Sequence, residues 1–187
     1  MSRHLNDLQK QSFQEYSNNE AGQLVTCTTR TINVTPTIST SPAYASGDQI
    51  GGIMTLTDMI RQNSVLGYGT SELVEITILD ASKQNAAMSV YFFNKSPTVT
   101  SVDNGAFAMT YANMQSSLLG VATIGASGTY SDLSATSACT TANLNIPLKV
   151  LSSESNPTNL YAIAVSRGTP TYTTTTALTF IFKFFVD

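Results

Sequence analysis

Tryptophan is absent from this sequence, histidine occurs once and cysteine twice. Catalysis by a Ser-His-Asp or Cys-His arrangement would have to use His4, which lies in a polar N-terminal stretch with no rigid scaffold to orient its ring. One histidine with two widely separated cysteines, Cys27 and Cys139, makes no recognisable zinc set. The two cysteines read as buried free thiols rather than a bridge. Charge is scarce as well: Asp, Glu, Lys and Arg make up 11% of the chain, against about 25% in an average domain. The net charge is −3 and the pI near 5.0, so no basic stripe is available to neutralise phosphates, which argues against nucleic-acid binding. No run approaches the roughly 18 apolar residues of a membrane span. The stretch from Met1 to Lys10 lacks the apolar core of a secretory signal, so a cytoplasm-like compartment is expected for synthesis.

What the chain has in quantity is small hydroxyl residues. Hydrophobic residues amount to 42%, and Ser with Thr supply roughly another quarter, so the surface must be polar without being charged. Threonine is β-branched and suits a pleated, half-buried surface, which points to an all-β fold. Low charge density weakens self-repulsion, so such a surface tolerates close packing against copies of itself or a partner. At 187 residues the chain accommodates one domain with a substantial core, with or without a terminal arm.

Residues 1–21 differ from the rest. They are rich in Gln, Asn and Glu, and Leu5, Leu8 and Tyr16 fall on one side of a helix with Phe13 at its margin. Ala21-Gly22 supplies a stop. This is a short helical or extended N-terminal arm, either frayed or docked on a neighbouring subunit, and the remaining residues, 22–187, form the β domain. Leu24 to Val34 reads as an edge-prone first strand ended by Pro36. Tyr44 to Leu56 follows, with Gly47-Asp48 as a turn, Gly51-Gly52 as a bulge or close backbone approach, and Ile50, Ile53, Met54 and Leu56 as core candidates. Thr57 to Asn63 looks like one or two helical turns with Thr57 as N-cap.

Leu73 to Leu79 and Met88 to Phe93 are the clearest strand pair, with Val74, Ile76 and Ile78 on one face and Met88, Val90 and Phe92 on another. Further strands are expected near Ala106 to Tyr111, at Gly120 to Ile124, Leu144 to Leu151, Tyr161 to Ser166 and Leu178 to Val186. A short helix falls around Asn113 to Leu118, and a long small-residue loop runs from Gly125 to Asn143. In all, about eight or nine strands need a second sheet to bury their apolar faces, so a two-sheet β-sandwich of jelly-roll-like type is expected. A trimeric β-prism or a distorted barrel would show the same periodicities.

The remaining chemistry is thin. Asp48, Asp58, Glu72, Glu75, Asp80, Asp103 and Asp132 could formally pair as glycosidase carboxylates, but there is no tryptophan to build a sugar platform. Asp103-Asn104-Gly105 lacks the further ligands of a calcium loop and reads as a turn. Gly47 to Gly52 lacks the Gly-Lys-Ser/Thr ending of a phosphate loop. No catalytic, cofactor or metal residue is assigned, and no enzyme activity is expected.

Four pieces of sequence carry a resemblance: Ala43-Tyr-Ala-Ser-Gly-Asp-Gln-Ile-Gly-Gly52, Leu56-Thr-Asp58, Asp103-Asn-Gly-Ala-Phe107 and Ser166-Arg-Gly-Thr-Pro-Thr-Tyr172. Together they resemble a family of small tailed-bacteriophage virion proteins, some of them head decoration or cement proteins. The likeness spans roughly residues 35 to 187, and its motifs are turns rather than reactive groups. It implies a β-sandwich that oligomerises, often as a homotrimer, and binds the major capsid protein on the outside of the virion. Leu5, Leu8, Phe13 and Tyr16 of the arm, outside the resemblance, are the expected partner contacts. The alternative is a receptor- or glycan-binding module of a head or tail fibre, with Tyr130 in an exposed recognition loop.

Overall fold

A computed structural model describes residues 28–57, 68–125, 129–151 and 159–186. Its strands are β1 (Thr28–Val34), β2 (Gln49–Leu56), β3 (Tyr68–Asp80), β4 (Met88–Phe93), β5 (Leu118–Ile124), β6 (Ser131–Asp132), β7 (Ser137–Leu151), β8 (Leu160–Ser166) and β9 (Leu178–Val186). Among the described residues one helix, α1 (Tyr111–Ser117), precedes β5. The strands form two antiparallel sheets, in the orders β1-β9-β3-β7-β6 and β2-β8-β4-β5.

The pairing is nested. β1 pairs with β9, β2 with β8, β3 with β7 and β4 with β5. This is one long hairpin rolled up on itself, and β3–β9 and β4–β8 contacts close each sheet. That topology is the jelly roll expected from the strand count. It also explains why the apparent β3/β4 pair is no pair. Along the first arm of the rolled hairpin, β1 to β4, consecutive strands fall in opposite sheets, so their alternation fixes which face is buried but not which strand is the neighbour. The two apolar faces do meet, across the sandwich: Phe92 of β4 packs edge-on against Phe182 of β9 at 5.9 Å.

The core follows from period two. Leu178, Phe180, Phe182 and Phe184 alternate along β9 and all are fully buried, each contributing about 1.5–3 kcal/mol. Met88, Val90 and Phe92 face them from the other sheet, with Ile50, Leu56, Ala162 and Ala164. On β3 the expected set shifts. Leu73, Ile76 and Ile78 are buried while Val74 is half-buried, because the register slips between Leu73 and Glu75 against both neighbours and turns the strand over. On β2 the register slips between Ile50 and Met54, which places the expected bulge at Gly51-Gly52 and pushes Ile53 out to solvent instead of into the core.

Two further expectations change. The strand near Ala106 to Tyr111 reduces to an isolated bridge between Ala106 and Asp48, and Tyr111 opens α1, whose N-cap Thr110 accepts from the Asn113 amide. The loop from Gly125 to Asn143 is shortened by β6 and by the first half of β7, where small residues pair along β3 and Cys139, opposite Ile78, is a buried free thiol. The first strand is indeed an edge of its sheet. The arm residues 1–21, Cys27 and the turns expected after Thr57 lie outside the described residues.

The two central strands of the second sheet, β8 and β4, are buried on both faces. Behind that sheet's core face, Phe93, Ile163 and Val165 form a smaller cluster against which Tyr91, Val99, Phe107, Met109, Leu118 and Tyr161 pack. Val99, Phe107 and Met109 come from the β4–β5 connection, which folds back over the sheet as a flap. The outer face of the first sheet carries no such cover from the described residues.

Candidate functional site

The flap tip, the segment leading into β2 and the segment leaving β8 converge on one junction. Asp103 is its centre. Its carboxylate accepts from Ser39 Oγ and from the Tyr44 hydroxyl, both at 2.6 Å, and from the backbone N–H of Gly51. Three donors from two stretches of chain thus converge on one charged acceptor, the stronger kind of hydrogen bond. Beside it, Asn104 sits in the left-handed region with φ 60°. Its side-chain amide donates to Pro42 O at 2.7 Å, and its backbone N–H donates to Gln49 O at 2.9 Å.

The stretch Gly47 to Gln49 is bonded on both sides. Towards β8, Gly47 N donates to Ser166 O and Ser166 N donates to Asp48 O; towards the flap, Phe107 N donates to Gly47 O and Gln49 N donates to Gly105 O. The flap tip therefore acts as a short extra strand along the exposed edge of β2, which blunts an edge that would otherwise template association. Gly51 is required where the turn passes Pro36: its φ is +67°, and a Cβ there would lie 2.7 Å from Pro36 Cβ.

The third segment closes the junction from the core side. Tyr44 N donates to Pro170 O, and the Tyr44 and Tyr172 rings meet edge-on at 5.7 Å. Burial first, and then the Asp103 carboxylate it donates to, hold the Tyr44 hydroxyl well above the ordinary tyrosine range. Burial also raises Tyr172, whose hydroxyl is enclosed with no hydrogen-bond partner among the described residues. Three of the four sequence pieces that carry the phage resemblance, namely Ala43–Gly52, Asp103–Phe107 and Ser166–Tyr172, are thus parts of a single structural unit.

Asp103 faces hydrogen donors on both oxygens. Four of the other described acidic side chains also have structural engagements, and Glu72 lies half-buried on β3. Asp48 accepts from Ala45 N and the buried Asp80 from Ser82 N and Asn85 N; Glu75 pairs with Lys183 and Asp132 with Lys83. Among the described residues no three His, Cys, Asp or Glu side chains gather. His4, Asp58 and the expected partner contacts Leu5, Leu8, Phe13 and Tyr16 lie outside the described residues. Tyr130 is not an exposed recognition residue: its hydroxyl donates to Ala86 O at 2.9 Å and its ring packs beside Gly125 against the core.

A second feature escaped sequence reasoning. The outer face of the first sheet displays Thr29, Thr31 and Asn33 of β1 with Thr35 just beyond it, Ile181 and Phe185 of β9, and Thr140 and Ala142 of β7, all exposed or half-exposed. Thr35 and Thr179 bond each other through their hydroxyls, as do Thr77 and Thr140, both at 2.8 Å, and the Lys183–Glu75 pair sits in the middle. The threonine count announced such a surface, but only the strand order assembles it.

No protein-family model and no curated protein matches the chain. Among solved structures, a chain of tomato aspermy virus aligns with a TM-score of 0.31 at 10% identity, over 98% of this chain and 93% of that one. A chain of desmodium yellow mottle tymovirus aligns with a TM-score of 0.27 at 13% identity, over 86% of this chain and 87% of that one. Likenesses this loose carry no argument about this chain, whose jelly roll is defined by its own strand pairing.

Proposed function

We propose that this chain is a non-enzymatic structural protein of a virion, and specifically a head decoration or cement protein that binds the major capsid protein on the outer lattice as a homo-oligomer, with a trimer as the working stoichiometry. The observation that carries the reading is the outer face of the first sheet, broad and hydroxyl-rich, with the paired Lys183 and Glu75 and the half-buried Glu72 as its charges. Such a face can dry and pack against another protein without stranding a row of charges. The resemblance adds support, because three of its pieces are joined in one junction rather than scattered over unrelated loops. The arm, through Leu5, Leu8, Phe13 and Tyr16, would supply a second attachment, and linking weak sites in an oligomer multiplies their effect.

The test is stoichiometry in purified particles, measured by quantitative mass spectrometry. A copy number comparable to that of the major capsid protein is expected. A count that fits only a single vertex or a single tail would reject the lattice role.

A further inference from the structure

Asn104-Gly105 is the one Asn-Gly pair in the sequence, and glycine, with no Cβ, leaves its own amide nitrogen unhindered for attack on the preceding side chain. In the folded junction both reacting groups are engaged with other partners. Gly105 N–H donates to Val102 O at 3.1 Å, and the Asn104 side-chain amide is held by Pro42 O at 2.7 Å. The backbone on either side is fixed by the Gln49 bonds to Asn104 N and Gly105 O. Attack requires all of these to break together, which happens only when the flap tip leaves the edge of β2.

We propose that Asn104 is a self-modification site, converted to aspartate and isoaspartate when the flap tip lifts, and that the conversion keeps the tip from closing again. Gly105 N attacks Asn104 Cγ, a C–N bond forms, the Cγ–Nδ2 bond breaks, and ammonia leaves carrying the amide proton. Water then opens the resulting succinimide at either carbonyl. Opening at the side-chain carbonyl gives aspartate, and opening at the main-chain carbonyl gives isoaspartate. No oxidant or reductant is involved.

Either product is wrong for the junction. A carboxylate in place of the amide faces the lone pairs of Pro42 O, with the Asp103 carboxylate on the adjoining residue. Isoaspartate also lengthens the backbone between the two groups that bond Gln49. An opened tip uncovers Phe93, Ile163 and Val165, so the modification would record and fix exposure of an apolar surface. The chemistry does not depend on where the protein works.

The experiment follows Asn104 by peptide mapping of the full chain in mildly alkaline buffer. Four samples are compared: folded wild type, wild type in urea, Asp103→Ala, which adds no new amide, and Tyr44→Phe, which removes one donor only. Because reaction requires opening, conversion in folded wild type should be at least about tenfold slower than in urea. It should accelerate in Tyr44→Phe and further in Asp103→Ala; if the alanine variant fails to fold, Tyr44→Phe alone decides. Equal rates in folded and unfolded wild type, or no acceleration in the folded variant, would overturn the gating. Converted protein separated by ion exchange should be cleaved within residues 99–110 faster than unconverted protein. Equal protection would overturn the proposed failure to reclose.

Discussion

Gly47 and Gly51 stand four residues apart in one motif and are constrained differently. Gly47 has φ +101° with open space around the position of a Cβ, so alanine there meets backbone strain alone, about 1–2 kcal/mol. Gly51→Ala adds a collision with Pro36 and should cost about 2–4 kcal/mol. Urea unfolding of the two variants checks the order, and equal losses would show that the Pro36 contact yields freely. Tyr172 is the converse case. Its hydroxyl is buried without a partner among the described residues, so Tyr172→Phe should stabilise the protein by about 1 kcal/mol. The same substitution affects the alkaline limb. Burial raises Tyr44, Tyr130 and Tyr172 above the ordinary value of 10.0, so the unfolded chain loses these protons first. Their contribution is therefore complete below pH 10 and declines as the pH rises beyond it. Denaturation midpoints measured across that range should fall steeply in wild type and less steeply in Tyr172→Phe.

The flap is the element with the most independent character. It packs through Val99, Phe107 and Met109 onto the outside of the second sheet, while the main core lies on that sheet's other face. Phe107 also lies 5.2 Å from Tyr91, ring to ring. Phe107→Ala should weaken the flap by about 1–2 kcal/mol, since the ring is only half buried. The expected signature is faster proteolysis between residues 99 and 110 and increased binding of an apolar dye, with the far-ultraviolet strand signal retained. Loss of that strand signal would show that flap and sandwich fold as one unit. A cue for the flap was present in β8, whose Leu-Tyr-Ala-Ile-Ala-Val run is apolar at successive positions, as a strand covered on both faces must be. The partner that covers it, a loop rich in small and polar residues, carried no comparable cue.

For the whole molecule the proposed capsid contact rests on the threonine face of the first sheet. Thr31→Glu and Thr140→Glu place charges on exposed positions of β1 and β7. Each should leave stability within about 0.5 kcal/mol of wild type and abolish stable attachment to purified capsids, read by co-sedimentation. Attachment unchanged in the double variant would move the contact to another surface. Among the described residues no helix is long and apolar enough to cross a membrane.

The sequence by itself determined the local and periodic features: the all-β class, the β9 alternation, the bulge at Gly51-Gly52, a short helix around Asn113 and the Asp103-Asn104-Gly105 turn. Each depends on the backbone preferences or burial of neighbouring residues, which a linear reading captures. The tertiary structure decided which strands became neighbours, that Asp103 would reach Ser39, Tyr44 and Gly51 across more than fifty positions, and that scattered threonines would share one face. Those outcomes depend on how the long hairpin rolls. Alternation specifies only which side of a strand is buried, whereas the roll sets what each side meets.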